Sequence, residues 1–561
     1  MSNLFEPTLS LSQFKLPPQD INLLSFCESN KPLRVRAWVD DLKMTQIKAT
    51  GVALYKAVPE INHLKTDAKS RFELLEIFWP AVQQCLQGLA KEFLQQPLIL
   101  PDNAQKSALI AQALQRHLLD GYTVCAKELV SQKKLKPALQ ELLLNCIFRA
   151  MIAASMMMLR SSQLYTNVPN NMWLRLHALF QTAEYYEIHE TPAPVAVNEG
   201  SGARTIQEAY GRLIIFSSIR PNQLSQNDLF HSYRALEGWT KYVKFFPSAT
   251  DDQNNLYLVD LNQDTGPILK SRFDSDPNHR VLELDFQSIV SQLSKMTGNS
   301  RGESDWQSHA QGLKVPAEMP QTLLEHMLDC WSNAVQRNQD RKRADIAAEA
   351  CIGLIDCHYH LSGSVDFDQF INPREELSDD SFLTGGFDAL VSSLTSKKDV
   401  DTPKVARKTV FDITIQNVSA GGYCVLWQGD LPNRIESGEL IGIREQGRRT
   451  WSIGVVRWIR QLKNASQLGI QLLSSQPVPY GAAVMYDMGG YSDHMRAIHI
   501  PSPIIADQPP SLLTATVPFQ AGSRVRLKQD DSVTDIRLTQ SHFSTSKLKL
   551  FSFDTLNEES D

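Results

Sequence analysis

The chain has 561 residues, 42% of them apolar, 21% charged and 8% aromatic, and a formal net charge of −6. That length is more than one hydrophobic core serves and predicts about three or four domains. Acids and bases nearly balance, which argues against a general nucleic-acid binder, because such proteins carry a basic surplus to displace counterions from phosphates. An anionic ligand would have to be met by a few placed arginines. The eight cysteines form no CxxC pair and read as reduced, mostly buried small hydrophobes. Met1–Leu16 has no basic stretch followed by an apolar run, so no signal peptide is expected.

From about Lys69 to Glu190 the apolar residues recur near the 3.6-residue period. Phe72, Leu75, Ile77, Phe78, Val82 and Leu86 form one stripe, and similar stripes run through 108–129, 138–158 and 173–186. The most apolar stretch, Leu142–Leu159, approaches the length of a membrane span, but Asn145 and Arg149 interrupt it and Arg160 follows. A buried bundle helix with no membrane insertion is expected, and hence a cytoplasmic protein. Mixed helix and strand patterns follow His189–Gly202, and the polar stretch 298–320 reads as a linker.

A helix over Met319–Arg337 then gives way to strands. Phe411, Ile413 and Ile415 alternate with Asp412, Thr414 and Gln416, and Trp451, Ile453, Val455 and Leu468, Ile470, Leu472 repeat the pattern. Period two with one polar face describes a small antiparallel barrel. The expected architecture is α+β and multidomain: a helical region at 1–190, a mixed α/β segment at 203–297, a barrel at 320–500 with an acidic insertion at 363–403, and a C-terminal β-rich segment at 511–555.

Two short motifs carry the chemistry. Arg337-Asn-Gln-Asp-Arg341, followed by Lys342 and Arg343, offers guanidiniums that grip phosphates bidentately, pair with the O6/N7 edge of guanine or stack on a purine. Asn417-Val-Ser419-Ala-Gly421-Gly422, at a strand end, supplies an amide, a hydroxyl and glycines that let backbone approach a ligand. Taken singly, the first motif also suits a solvated helix end and the second a plain turn.

In this order, R-x-x-x-R and then N-x-S-x-x-G, the motifs resemble those of the PilZ family. The resemblance continues through Gly454-Val-Val-Arg-Trp458 and Leu468-Gly469-Ile-Gln and covers about Leu323–Val484. It implies a PilZ-like barrel that binds cyclic di-GMP through Arg337, Arg341, Arg343, Asn417, Ser419 and Gly422. The clamp is either Arg337 with Arg341 or Arg341 with Arg343. Asn417 stands where the family more often has Asp, and the acidic insertion lengthens the interval from Arg341. The resemblance implies bacterial second-messenger signalling in motility, surface attachment or biofilm formation, relayed to a protein partner through the helical region. A degenerate PilZ-like scaffold that has lost the nucleotide is the alternative.

No enzyme is expected. No P-loop, nucleophile elbow, H-E-x-x-H or paired catalytic carboxylates are found. Gly385-Gly386-Phe387-Asp388 lacks the acid of the dinucleotide-synthesising signature. Asp356, His358 and His360 would share one face of a strand but have no distant ligand pair, so no metal and no cofactor are expected.

Overall fold

A computed structural model describes residues 7–96, 100–132, 135–197, 203–247, 255–274, 276, 278–298, 312–332, 342–372, 409–419, 421–428, 435–462, 465–486, 489–501, 504, 509–530, 532–545 and 547–556. Arg337, Arg341, the Gly385–Asp388 stretch and the acidic residues of the insertion from 373 onward lie outside these residues. The chain divides into two compact units, Met1–Gln336 and Arg337–Asp561.

The first unit is a helical array: α1 (Pro32–Asp40), α2 (Ile47–His63), α3 (Ala68–Phe93), α4 (Asp102–Val130), α5 (Pro137–Gln163), α6 (Met172–Tyr185), α7 (Pro194–Val197), α8 (Ile206–Ser218), α9 (Gln226–Trp239), α10 (Gln287–Gly298) and α11 (Gln321–Ser332). A four-stranded sheet, β1 (Lys244–Phe246), β2 (Tyr257–Asp260), β3 (Ile268–Leu269) and β4 (Val281–Asp285), stands in the order β1-β4-β2-β3. Local chemistry marks the helix starts. Asp67 accepts from the amides of Lys69 and Ser70 at 3.0 and 3.1 Å ahead of α3, and Thr205 with Glu208 closes a capping box on α8.

The helix α5 passes through the middle of this array. Its most apolar window is long and hydrophobic enough to cross a membrane, yet 78% of it is buried inside the unit. Arg149, which interrupts that window, shows why it belongs there. Its guanidinium donates to both Glu76 carboxylate oxygens at 2.9 and 2.7 Å and stacks 4.2 Å over Trp79, while the Tyr122 hydroxyl donates to the same carboxylate at 2.7 Å. A buried cation tied to a carboxylate and an indole welds α5 to α3 and α4.

The second unit holds two closed antiparallel barrels. The first comprises β5 (Lys342–Ile352), β6 (Phe411–Ser419), β7 (Gly422–Gln428), β8 (Leu440–Glu445), β9 (Ser452–Gln461) and β10 (Ala465–Ser474), ordered β10-β7-β6-β5-β8-β9. The second comprises β11 (Val478–Val484), β12 (Met495–Ile500), β13 (Ser511–Ala515), β14 (Arg524–Gln529), β15 (Ser532–Ser544) and β16 (Leu548–Thr555), ordered β11-β12-β13-β16-β15-β14. The α+β class therefore holds, and the C-terminal β-rich segment supplies four of the six strands of a closed barrel. The strands at 478–484 and 495–500 lie within the 320–500 stretch expected to form one barrel, but they hydrogen-bond into the second.

A second difference concerns residues 353–361. Gly353, at φ +85°, ends β5, and the chain turns into α12 (Gly353–Leu361), followed by α13 (Phe367–Ile371). Asp356, His358 and His360 are thus on a helix rather than on one face of a strand. His358 Nε2 lies 3.1 Å from the Tyr480 carbonyl, and the His360 ring stacks on Trp451. Among the described residues no group of three or more metal-ligating side chains forms.

Between the barrels Leu440, Ile453 and Val455 of the first pack with Ile498, Leu513 and Leu550 of the second. At the edge of this layer Lys547 pairs with Glu436 at 2.8 Å and with the buried Glu439. All eight cysteines are free thiols, seven of them buried.

Candidate nucleotide-binding face of the first barrel

The wall of the first barrel is built from rows of cross-strand partners, and partners in one row project to the same side of the sheet. One row runs Ile415–Val425–Leu468–Ile459 across β6, β7, β10 and β9. All four side chains are buried, so this row fills the barrel interior. The neighbouring row runs Arg343–Asn417–Cys424–Gly469–Trp458 from β5 to β9 and projects to the opposite, outer side. Arg343 is exposed, Asn417 and Trp458 are half-buried, and Cys424 is buried.

Two β-bulges set this row apart. The β5–β6 register shifts between Arg343 and Ile346, and the β6–β7 register shifts between Ile415 and Asn417. A bulge inserts one residue, bends the strand and re-aims the side chains beyond it. Without the shift at 415–417 the two-residue alternation would send Asn417 inward with Ile413 and Ile415. The bulge puts it outside, opposite Arg343.

Two steps along, Ser419 stands opposite Gly422, which stands opposite Gln471. The Ser419 hydroxyl donates to the Gly422 carbonyl at 3.2 Å and so closes the β6–β7 turn. Gly422 is buried, and a Cβ built on it would sit 2.0 Å from the Ile470 carbonyl oxygen. Its missing side chain therefore admits the close approach of β10. Gly469 plays a comparable part for a side chain: the Trp458 indole lies across it, with Nε1 1.9 Å from where a Cβ would be. Gln471 in turn accepts from Arg457 Nε at 2.5 Å, and the Arg457 guanidinium lies 4.6 Å over Phe543 of the second barrel.

Two arginines of β8 and the turn after it are already engaged. Arg444 donates to Glu349 at 2.8 Å, and Arg448 pairs with Glu445 at 2.9 Å. Glu445 also accepts from the Tyr423 hydroxyl at 2.9 Å; burial and this carboxylate push the phenol up to about 12, so it stays a neutral donor. Arg343 is exposed and has no ion-pair partner among the described residues. Of the six expected site residues, the structure brings Arg343 and Asn417 face to face and places Ser419 and Gly422 two rows away, beyond the row of Lys342, Val418, Tyr423 and Ile470. Trp458 and Cys424, which complete the outer row, were missed as site residues. The usable signal is Gly469: a glycine in mid-strand marks a close approach by a neighbouring group.

Three family models match consecutive parts of the chain. The one described as the N-terminal domain of the cyclic-di-GMP receptor FimW matches residues 33–249. The one described as the middle PilZ domain of that receptor matches 256–405 and 387–479, and the FimW C-terminal beta-barrel domain matches 480–556. The cyclic-di-GMP receptor FimW of Pseudomonas aeruginosa is 26% identical over 585 residues, covering 98% of this chain and 93% of that protein. The likeness thus extends well beyond the C-terminal third, to which the motifs confined it.

Proposed function

The chain belongs to the PilZ-domain family of cyclic-di-GMP-binding proteins, and from that membership we propose that it is a cyclic di-GMP receptor whose ligand seats on the outer row of the first barrel. In this reading Arg343, with Arg337 and Arg341 just before it, meets the phosphates and guanine edges. Asn417 both donates to and accepts from a base, and Ser419 holds the turn that presents it. Trp458 offers an indole face at the other end of the row. The observation that carries the reading is the direct opposition of exposed Arg343 and Asn417, created by two bulges in adjacent strands.

The work asked of the protein is recognition. The family is one of receptors and not a class of enzymes, and we read this chain as non-catalytic. Engaging Arg337 and Arg341, which follow the helical unit in sequence, on a bound dinucleotide would bias how that unit presents itself to a protein partner. That is the relay expected of a cytoplasmic second-messenger receptor. Motility, surface attachment and biofilm formation are the settings this implies.

Isothermal titration of cyclic di-GMP against the full chain tests the proposal. Wild type is expected to release heat on binding, and Asn417→Ala and Arg341→Ala to weaken it. No heat with wild type leaves a scaffold that has lost the nucleotide. Unchanged affinity in both variants would overturn the site.

A further inference from the structure

The outer wall of the first barrel carries a second row beside the one that holds Asn417. Thr414, Leu426, Gln467 and Arg460 stand opposite one another in turn across β6, β7, β10 and β9. Each adjoins, along its own strand, a member of the buried row Ile415–Val425–Leu468–Ile459, so this row too projects outward. Arg460, at its end, is exposed. Gln416 belongs to neither outer row. Ile415 pairs with Val425 and Asn417 with Cys424, so Gln416 is the extra residue of the β6–β7 bulge and has no place of its own in the ladder.

Gln416 is held instead from two strands away. Gln467 on β10 donates its side-chain amide to Gln416 Oε1 at 2.8 Å, across β7. Both side chains are half-buried, so water competes less for the bond. Its direction decides between two registers. In a strand without the bulge, Gln416 would stand opposite Cys424 and Asn417 would turn inward after it. Gln467 lies in the row of Thr414, on the N-terminal side of Gln416 along β6. The bond therefore draws Gln416 back from the place opposite Cys424, and Asn417 takes that place, facing Arg343.

We propose that Gln467 is a positioning residue for the nucleotide site: through Gln416 it holds the β6 bulge and so selects which of two adjacent amides faces Arg343. Its effect on the ligand rests on the receptor reading above; its effect on Asn417 rests on the strand register alone. Two measurements on the full chain test these separately.

In the first, Asn417→Cys is treated with a maleimide, and modification at position 417 is followed by mass spectrometry. The introduced thiol is expected to react readily, because it points outward. Adding Gln467→Met, which keeps the side-chain length and removes the hydrogen bond, should slow modification several-fold as the thiol turns inward. Gln416→Met removes the same bond from its other end and should act alike. A general loosening of the barrel would speed the reaction, so unchanged or faster modification in both variants overturns the proposal.

In the second, cyclic di-GMP is titrated into the chain with Asn417 intact. Gln467→Met and Gln416→Met should each weaken binding about three- to tenfold, and the double variant no further than either alone. Unchanged affinity in both single variants overturns the proposal. So do losses that multiply in the double variant, which would make Gln467 act independently of Gln416. If wild type fails to bind the nucleotide while Gln467→Met still slows modification at 417, the receptor reading falls and the control of register stands.

Discussion

Arg343 and Asn417 face each other across the β5–β6 pair, and bulges in the β5–β6 and β6–β7 ladders put both on the outside of the barrel. A guanidinium and a carboxamide side by side make a fork of donors with one acceptor, a set suited to a phosphate next to a guanine edge. Replacing Arg343 by alanine is expected to cost about 1.5–3 kcal/mol of cyclic di-GMP binding, roughly ten- to a hundredfold in Kd. Titration of Arg337→Ala, Arg341→Ala and Arg343→Ala side by side assigns the clamp. The two members lose affinity to this extent, and the third arginine changes it by less than a few-fold.

Gly422→Ala should act on stability before it acts on the ligand. The added methyl would meet the Ile470 carbonyl oxygen at 2.0 Å, so β7 and β10 must separate. Overpacking of this kind costs about 1–3 kcal/mol. Thermal unfolding should show a lower midpoint for the barrel unit with and without nucleotide. A normal midpoint with lost affinity would instead place Gly422 at the ligand.

The Glu76–Arg149 pair predicts a large and asymmetric effect in the helical unit. The Arg149 side chain is only 5% exposed, so Glu76→Ala strands a buried guanidinium and is expected to cost about 3–5 kcal/mol. The double variant Glu76→Leu/Arg149→Met should recover much of that loss, because it removes both charges and fills the volume. Urea unfolding of the three proteins measures the difference.

His177 gives the helical unit a defined acid sensitivity. Burial lowers its imidazole to about 4, while Nδ1 lies 2.7 Å from the Tyr210 hydroxyl and Nε2 3.0 Å from the Thr265 carbonyl. The unfolded chain takes up this proton near its ordinary value of about 6.5, ahead of the folded chain. The contribution of neutral His177 is therefore complete above about pH 6.5 and is lost as pH falls from there towards 4, at up to about 1.4 kcal/mol per pH unit. Stability measured at about pH 7, 6, 5 and 4 should fall more steeply for wild type than for His177→Gln.

Much of this molecule was legible one residue at a time. The 3.6-residue stripes of α3 to α6 and the two-residue alternation of β6, β9 and β10 depend on local geometry, and each strand or helix shows its buried face in its own composition. The order of the arginine and Asn-Ser-Gly motifs, and with it the family, is likewise a property of the linear chain. The eight scattered cysteines read as buried thiols, and seven are buried.

The pairing of strands was not legible, because hydrogen bonds between β-strands join residues that carry no mark of their partner. The pattern of Val478–Ile500 suits either barrel, and tertiary closure decides for the second. His358 and His360 alternate as in a strand, yet Gly353 turns the chain into a helix that packs on the barrels. The insertion of one residue at 415–417 reverses which side Asn417 leaves the sheet, and no periodicity announces it. Residue types and their order are enough to name the groups able to hold a nucleotide. That Arg343, Asn417 and Trp458 share one outer row follows from the fold alone, because that row is assembled from five strands brought together by long-range pairing.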